Sequence, residues 1–343
     1  MKSTVLDLDV ELPLLDEFHR SARGKKVGVV YGPVSREDRL YLERAPLRIG
    51  YTAIMESLAR LGFASFRCDP TTPRFLDDLK CADFLFLNIH GEYGEDGRLQ
   101  GFLDYLGLRY TGSGVLPSAI GLNKIMFKRV IGAAGILNPS YARSAAESDD
   151  YEINESSLTD LTFPVIAKPV SGGSSIGIRL LPDLAAAESF LSDRETFARY
   201  GPSFVEQFIE GTPLTVGVLE LETCVVATPP IEVKFDAEFY DEGTKLDEHE
   251  KDLVEYNVRS MPDATDTTLR KTALKVHRLL GCTGFSRIDF LMAPDATCYV
   301  LEINTLPGMA YESNFPMGTS ALGLTFDQTI LAMLRSCLWP KEG

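Results

Sequence analysis

Two apolar runs near the C-terminus, FSRIDFLM (Phe285–Met292) and CYVLEIN (Cys298–Asn304), constrain this chain most. Both read as strands, paired with each other. Residues two apart on a strand share a face, so Glu302 and Asn304 project together, just before a turn at Leu306, Pro307 and Gly308. Leu301, Ile303 and the flanking apolar residues argue that the opposite face is buried. A carboxylate and an amide paired at a strand end are costly to bury without a partner. Asp289, in SRIDF, places a third oxygen donor on the adjacent strand, and oxygen donors suit Mg²⁺. The plainer alternative is a polar strand end that faces solvent.

At 343 residues the chain is too long for one core, and two or three domains are expected. It is 45% hydrophobic and 24% charged, as in ordinary globular proteins. Its net charge of -15 and pI near 4.8 repel phosphate backbones, which excludes nucleic acid as a partner. The six cysteines form no Cys-x-x-Cys pair and mostly sit in apolar runs, so buried thiols in a reducing compartment are expected. The acidic start lacks the apolar core of a signal peptide, and no run is long enough to span a bilayer, so a cytoplasmic location with no membrane partner is expected.

KKVGVVYG and DFLFLNIHG read as buried strands and ASFRCD as a short strand, around the helical run Ile49 to Phe63, an order that predicts an open, mostly parallel N-terminal sheet. Gly121 to Ile136 reads as a helix that opens a second region. Phe163 to Leu181 reads as a hairpin whose Gly/Ser turn, KPVSGGSSIG, offers backbone N–H groups and hydroxyls to phosphate oxygens. It is not a Walker A loop, because no Gly-Lys-Ser/Thr opens a helix there, and a surface turn is the commoner use of such a sequence. Lys124, Lys168 and Lys245 sit in or beside apolar segments, where a cation suits nucleotide phosphates. HGEYGEDG, from His90 to Gly97, follows a buried strand, where substrate loops gather in open sheets.

Taken in order, HGEYGEDGRLQGFLDYLGLRYTGS, the Lys124 helix, KPVSGGSSIGI, VEQFIEG, FYDEGTK, RIDF and LEINTLPGM resemble one family. It is that of the D-alanine–D-alanine ligases, within the ATP-grasp carboxylate–amine ligases, and the likeness runs from about Lys25 to Leu334. The resemblance implies an ATP-grasp fold of three α/β domains with an N-terminal open parallel sheet. It divides the chain into an N-terminal extension (1–24), a substrate-binding domain (25–120), a central ATP-grasp domain (121–213) and a C-terminal metal and catalytic domain (214–343). It implies ATP and two Mg²⁺ ions, with Mn²⁺ as a substitute, and phosphorylation of one D-amino acid followed by attack of a second. Asp289, Glu302 and Asn304 match the metal ligands. Lys124, Lys168, Ser175, Glu206, Ile209 and Lys245 match the ATP site, with Glu206 on the adenine amino group. Arg287 and the Gly308 N–H match the oxyanion site, and Ser174 the loop serine that orients the nucleophile. Glu37 and His90 match the first amino-acid subsite, and Ser313 the second. The relatives serve peptidoglycan synthesis and are commonly dimeric, so a homodimer is an expectation that the resemblance alone carries.

Several positions depart from the family pattern. Leu246 stands where a tyrosine closes the active-site loop, and it cannot donate a hydrogen bond. Glu312 and Asn314 flank Ser313 in place of histidine and leucine. Gly172 replaces a loop glutamate, Pro213 a ribose-contacting glutamate near Glu210, and Pro33 a glycine. The changes cluster at the amino-acid subsites, and Glu312, with the acidic run from Asp247 to Asp252, raises a second reading. That reading is a peptide ligase for a polar or cationic second substrate, outside cell-wall synthesis. A third is a nucleotide-binding relative without turnover.

Overall fold

The computed structural model describes residues 2–35, 38–39, 42–43, 50–143, 156–173, 177–235 and 254–341. Glu37, Ser174, Ser175, Lys245, Leu246 and the run from Asp247 to Asp252 lie outside the described residues. The chain opens with helix α1 (Leu8–Ser21), followed by β1 (Lys26–Val30), α2 (Tyr51–Arg60), β2 (Ala64–Cys68), α3 (Phe75–Cys81) and β3 (Phe84–Leu87). The three strands form the expected parallel sheet, in the order β2-β1-β3. Parallel neighbours need crossovers, and α3 supplies the second of them. The sequence reading has strand following strand there. With only Leu79 buried, α3 carries too little periodicity to show.

Helices α4 (Arg98–Tyr105), α5 (Val115–Leu122) and α6 (Lys124–Ala133) follow. The run expected as one helix from Gly121 is divided at Asn123, whose Oδ1 caps α6 by accepting from the Met126 N–H at 3.0 Å. An antiparallel sheet, in the order β4-β7-β5-β6, contains β4 (Tyr141–Ala142), β5 (Val165–Pro169), β6 (Arg179–Leu181) and β7 (Ser203–Gln207). Between β6 and β7 run α7 (Leu184–Ser192) and α8 (Arg194–Tyr200). The expected hairpin is β5 against β6, with Val165 opposite Leu181. One face of this sheet packs Val165, Ala167 and Val205 against Ala187 and Phe190 of α7, which leaves the alternate residues Lys168 and Glu206 on the face towards α6.

The third sheet contains β8 (Thr212–Glu220), β9 (Val225–Ala227), β10 (Ile231–Phe235), β11 (Val254–Val258), β12 (Phe285–Met292) and β13 (Cys298–Asn304). Its order is β11-β10-β8-β12-β13, with β9 beside β8. Helix α9 (Asp263–Leu279) covers one face, packing Leu269, Ala273 and Val276 on Val216, Ile288 and Ile303. Of the last two helices, α10 (Asn314–Ala321) and α11 (Phe326–Arg335), α11 returns to the core of the parallel sheet through Ile330, Leu331 and Leu334.

The N-terminal extension is part of this body. Leu15 and Phe18 of α1 join the same core. Glu11, 1% exposed, accepts from the N–H groups of Glu222 at 3.1 Å and Thr223 at 2.9 Å, and from the Thr223 hydroxyl. These bonds hold α1 to the β8–β9 turn. All six cysteines are free; Cys68, Cys224 and Cys337 are buried as expected, whereas Cys81 is exposed. No helix among the described residues is long and apolar enough to cross a membrane.

Candidate active site

The register of β12 on β13 sets Arg287 opposite Asn304 and Asp289 opposite Glu302. Cross-strand partners share a face, so these four polar residues stand together while Ile288 and Ile303 face the α9 core. Arg287 donates to Asp289 twice, from Nε to Oδ1 at 2.9 Å and from Nη2 to Oδ2 at 2.8 Å. Thr215, opposite Asp289 on β8, donates its hydroxyl to Asp289 Oδ1 at 2.7 Å. Burial works against the Arg287 charge, but Asp289 and then Glu302 outweigh it and raise its pKa above the ordinary value. Two of the five guanidinium N–H donors are used on Asp289, so the others remain for an oxyanion.

Lys124 ties this face to the flap. Its Nζ donates to the Gly172 carbonyl at 2.5 Å and lies 3.4 Å from Glu302 Oε2, and its backbone N–H donates to the Val170 carbonyl at 2.9 Å. The donors fit a hard divalent cation. Among the described residues no three His, Cys, Asp or Glu side chains gather, so the set is two carboxylates and an amide. Glu302 is open to solvent, with its side chain 37% exposed. Such a set leaves coordination places for water and phosphate oxygens, which is how Mg²⁺ is ordinarily held.

A second group lies on the face of the central sheet towards α6. Glu206 is flanked by Lys168, in ion-pair contact with Oε1, and by Lys128, whose Nζ is 2.8 Å from Oε2. Lys128 also donates to the Pro139 carbonyl at 3.2 Å. Burial alone would push the Glu206 carboxyl up, but Lys128 and then Lys168 outweigh it and hold it down at about 2. In this structure both carboxylate oxygens serve the two lysines. The sequence reading singles out Lys168 and Glu206 but misses Lys128 and Thr215. Lys128 was within reach of pattern reasoning, because it follows Lys124 by four residues on one helix face. Ile209 is half-buried in the loop after β7, and Pro213 lies in β8 opposite Leu291.

The amino-acid end lies around the turn after β13. Gly50, at φ +75, opens α2, and a Cβ there would stand 2.5 Å from the Met309 carbonyl carbon and 2.8 Å from the Ala310 nitrogen. Only glycine fits this approach, which sets the N-terminal domain against the turn. A Cβ on Gly308 would lie 3.4 Å from Ser313 Oγ, so these two predicted residues are adjacent. Ser313 is the N-cap of α10, and its hydroxyl makes no capping bond. A free hydroxyl at a helix N-terminus suits a carboxylate. His90 lies past the end of β3, buried, with its backbone N–H donating to Asp38 Oδ1 at 3.2 Å. Glu312, directly before Ser313, is exposed.

The comparisons with known proteins agree on one family. The family model described as "D-ala D-ala ligase C-terminus" matches residues 131–335, and "D-ala D-ala ligase N-terminus" matches residues 64–113. A D-alanine–D-alanine ligase of Anaeromyxobacter is 36% identical over 311 residues, covering 89% of this chain and 94% of that protein. One of Dechloromonas aromatica is 34% identical, covering 90% and 96%. The solved structure of a D-alanine–D-alanine ligase from Bacillus anthracis complexed with ATP superposes with a TM-score of 0.74 at 25% identity, over 92% of this chain and 98% of that one. The three-sheet architecture is that of the ATP-grasp ligases. With both family models and near-full-length relatives in agreement, the chain belongs to the D-alanine–D-alanine ligase family.

Proposed function

We propose that this protein is an ATP-dependent carboxylate–amine ligase that joins two D-alanine molecules, releasing ADP and phosphate. The observation that carries the proposal is the gathering of Arg287, Asp289, Glu302 and Asn304 on one face beside Lys124. A carboxylate oxygen of the first amino acid attacks the γ-phosphorus and ADP leaves. The amine of the second then attacks the carbonyl carbon, and phosphate departs with that oxygen. Lys124 and Lys168 set a positive potential for the phosphates. Arg287 and the Gly308 N–H face the charge that develops on the carbonyl oxygen. Ser313 and the α10 N-terminus hold the second carboxylate. Asp289, Glu302 and Asn304 would hold Mg²⁺, which would supply neutralising charge to the ATP phosphates. Glu37, Ser174, Ser175 and Lys245 take the roles given by the resemblance.

A cytoplasmic location follows from the need for ATP, and the product is a cell-wall precursor. The homodimer belongs to the same proposal. It is supported by exposed apolar side chains on α4 and α5: Phe102, Tyr105, Val115 and Leu116. The names of the relatives favour D-alanine over a cationic second substrate, and a complete donor set argues for turnover. Phosphate release from ATP, measured across pairs of amino acids, tests the proposal. Release with D-alanine alone supports it, release only with another pair refutes the substrate, and no release with any pair refutes the ligase.

A further inference from the structure

The loop HGEYGEDG carries three carboxylates beyond His90, and the reaction just described uses none of them. Glu92 is exposed. Asp96 shapes the loop itself, accepting from the N–H groups of Tyr93 at 2.8 Å and Arg98 at 3.0 Å. Glu95 differs from both. It is 7% exposed and reaches out of its loop. Its Oε2 accepts from the Gly91 N–H at 2.7 Å, and its Oε1 accepts from the Leu306 N–H at 3.1 Å. Leu306 is also buried, and its N–H is shared, because Asn304 Oδ1 lies 3.1 Å from the same nitrogen. One carboxylate therefore touches the residue after His90, and through the N–H of Leu306, two residues before Gly308, it shares a donor with the metal-ligand candidate Asn304.

The loop end of this link is stiff. The Glu95 N–H donates back to the Gly91 carbonyl at 2.9 Å, so residues 91 and 95 are joined twice. Gly94 packs so closely on the segment just after β3 that a Cβ there would lie 2.4 Å from the Ile89 carbonyl oxygen. A charged acceptor bonded to backbone N–H groups makes a stronger link than a neutral one, and a small misplacement of reacting groups costs rate steeply.

We propose that Glu95 is a positioning residue, which fixes the spacing between the first amino-acid subsite at His90 and the turn that presents Asn304 and Gly308. The proposal rests on the ligase reading for its kinetic consequence, but the tether itself does not. An ionised carboxylate accepts at both ends. The amide of Glu95→Gln is the same shape but accepts at one end only, and it turns an NH₂ towards a backbone N–H at the other.

Glu95→Gln and Glu95→Asp in the full chain are read two ways. Amide hydrogen exchange without substrate should rise at Leu306 and Gly91 in both variants and stay unchanged in β5. With D-alanine, kcat/KM should fall about tenfold or more, while the dissociation constant for a non-hydrolysable ATP analogue stays within about twofold. The ATP analogue should be spared because Lys124, Lys168 and Glu206 do not touch this loop. Unchanged exchange at Leu306 overturns the tether. Raised exchange with kcat/KM near wild type, or an equal loss of nucleotide affinity, overturns the positioning role. If the wild-type chain releases no phosphate with D-alanine, the ligase reading falls, and the exchange measurement alone decides the tether. If Glu95→Gln does not fold, Glu95→Asp carries both measurements, because it keeps the charge and shortens the reach.

Discussion

Replacing Lys128 by methionine removes one charge from a cluster that water hardly reaches. The side chains of Lys128, Glu206 and Lys168 are 1%, 2% and 14% exposed. Methionine keeps much of the length and apolar contact of lysine, so the change is mainly electrostatic. Glu206 is left with Lys168 alone, and the Pro139 carbonyl loses its donor. Breaking a buried ionic group costs about 3–5 kcal/mol, and the surviving Lys168 puts this case at the lower end, about 3 kcal/mol. For a chain of this length unfolding as one unit, that lowers Tm by about 4 °C; if the central sheet melts separately, its own transition moves further. Urea unfolding and calorimetry at neutral pH measure both. The Glu206 carboxyl sits at about 2 against an ordinary 4.5. Its contribution is therefore present above 4.5 and lost as the pH falls towards 2. In Lys128→Met the Glu206 carboxyl is held down less, so stability should fall less steeply between pH 4.5 and 2. The double variant Lys128→Met/Glu206→Gln, with no uncompensated charge, should regain about 1 kcal/mol or more over the single one. A single variant within about 0.5 kcal/mol of wild type, or a double variant no better than the single one, refutes this reasoning.

Glu302→Gln should cut turnover by about a hundredfold or more while Tm stays near wild type; turnover close to wild type removes Glu302 from the ligand set. His277 is buried with Nδ1 2.8 Å from Ser286 Oγ, and burial lowers its pKa to about 4 from 6.5. Between those values only the unfolded chain is protonated, so about 3 kcal/mol of stability, present above 6.5, is lost as the pH falls through 4. His277→Gln should flatten that slope, and an unchanged difference between pH 7 and pH 5 contradicts the assignment. Glu11→Ala strands the N–H groups of Glu222 and Thr223 and should cost about 2–4 kcal/mol in urea unfolding. A loss below about 0.5 kcal/mol shows that water replaces the carboxylate.

What the sequence makes legible here is whatever repeats with a short period. The alternation of SRIDF and LEIN places Asp289, Glu302 and Asn304 on one face before any coordinates, and Gly172 and Gly173 mark the hairpin. The short helix α3 has one buried side chain and hence no stripe to read. Glu95 and Glu11 carry no sequence signal of their own, because their partners are backbone N–H groups far along the chain, at Leu306 and Thr223, and a one-dimensional pattern does not encode such pairings. Lys128 reads as one more helix lysine until β7 brings Glu206 beside it. The exposed Glu312 is the reverse case: its motif position makes it conspicuous, but the fold leaves it in solvent.

The central claim is that the first amino acid is activated through its own carboxylate. D-alanine labelled with oxygen-18 in both carboxylate oxygens, incubated with ATP, Mg²⁺ and the full chain, tests it directly by mass spectrometry of the released phosphate. One labelled oxygen per phosphate is the predicted result, because the attacking oxygen leaves with phosphorus when the amine arrives. Unlabelled phosphate formed together with dipeptide would contradict the account.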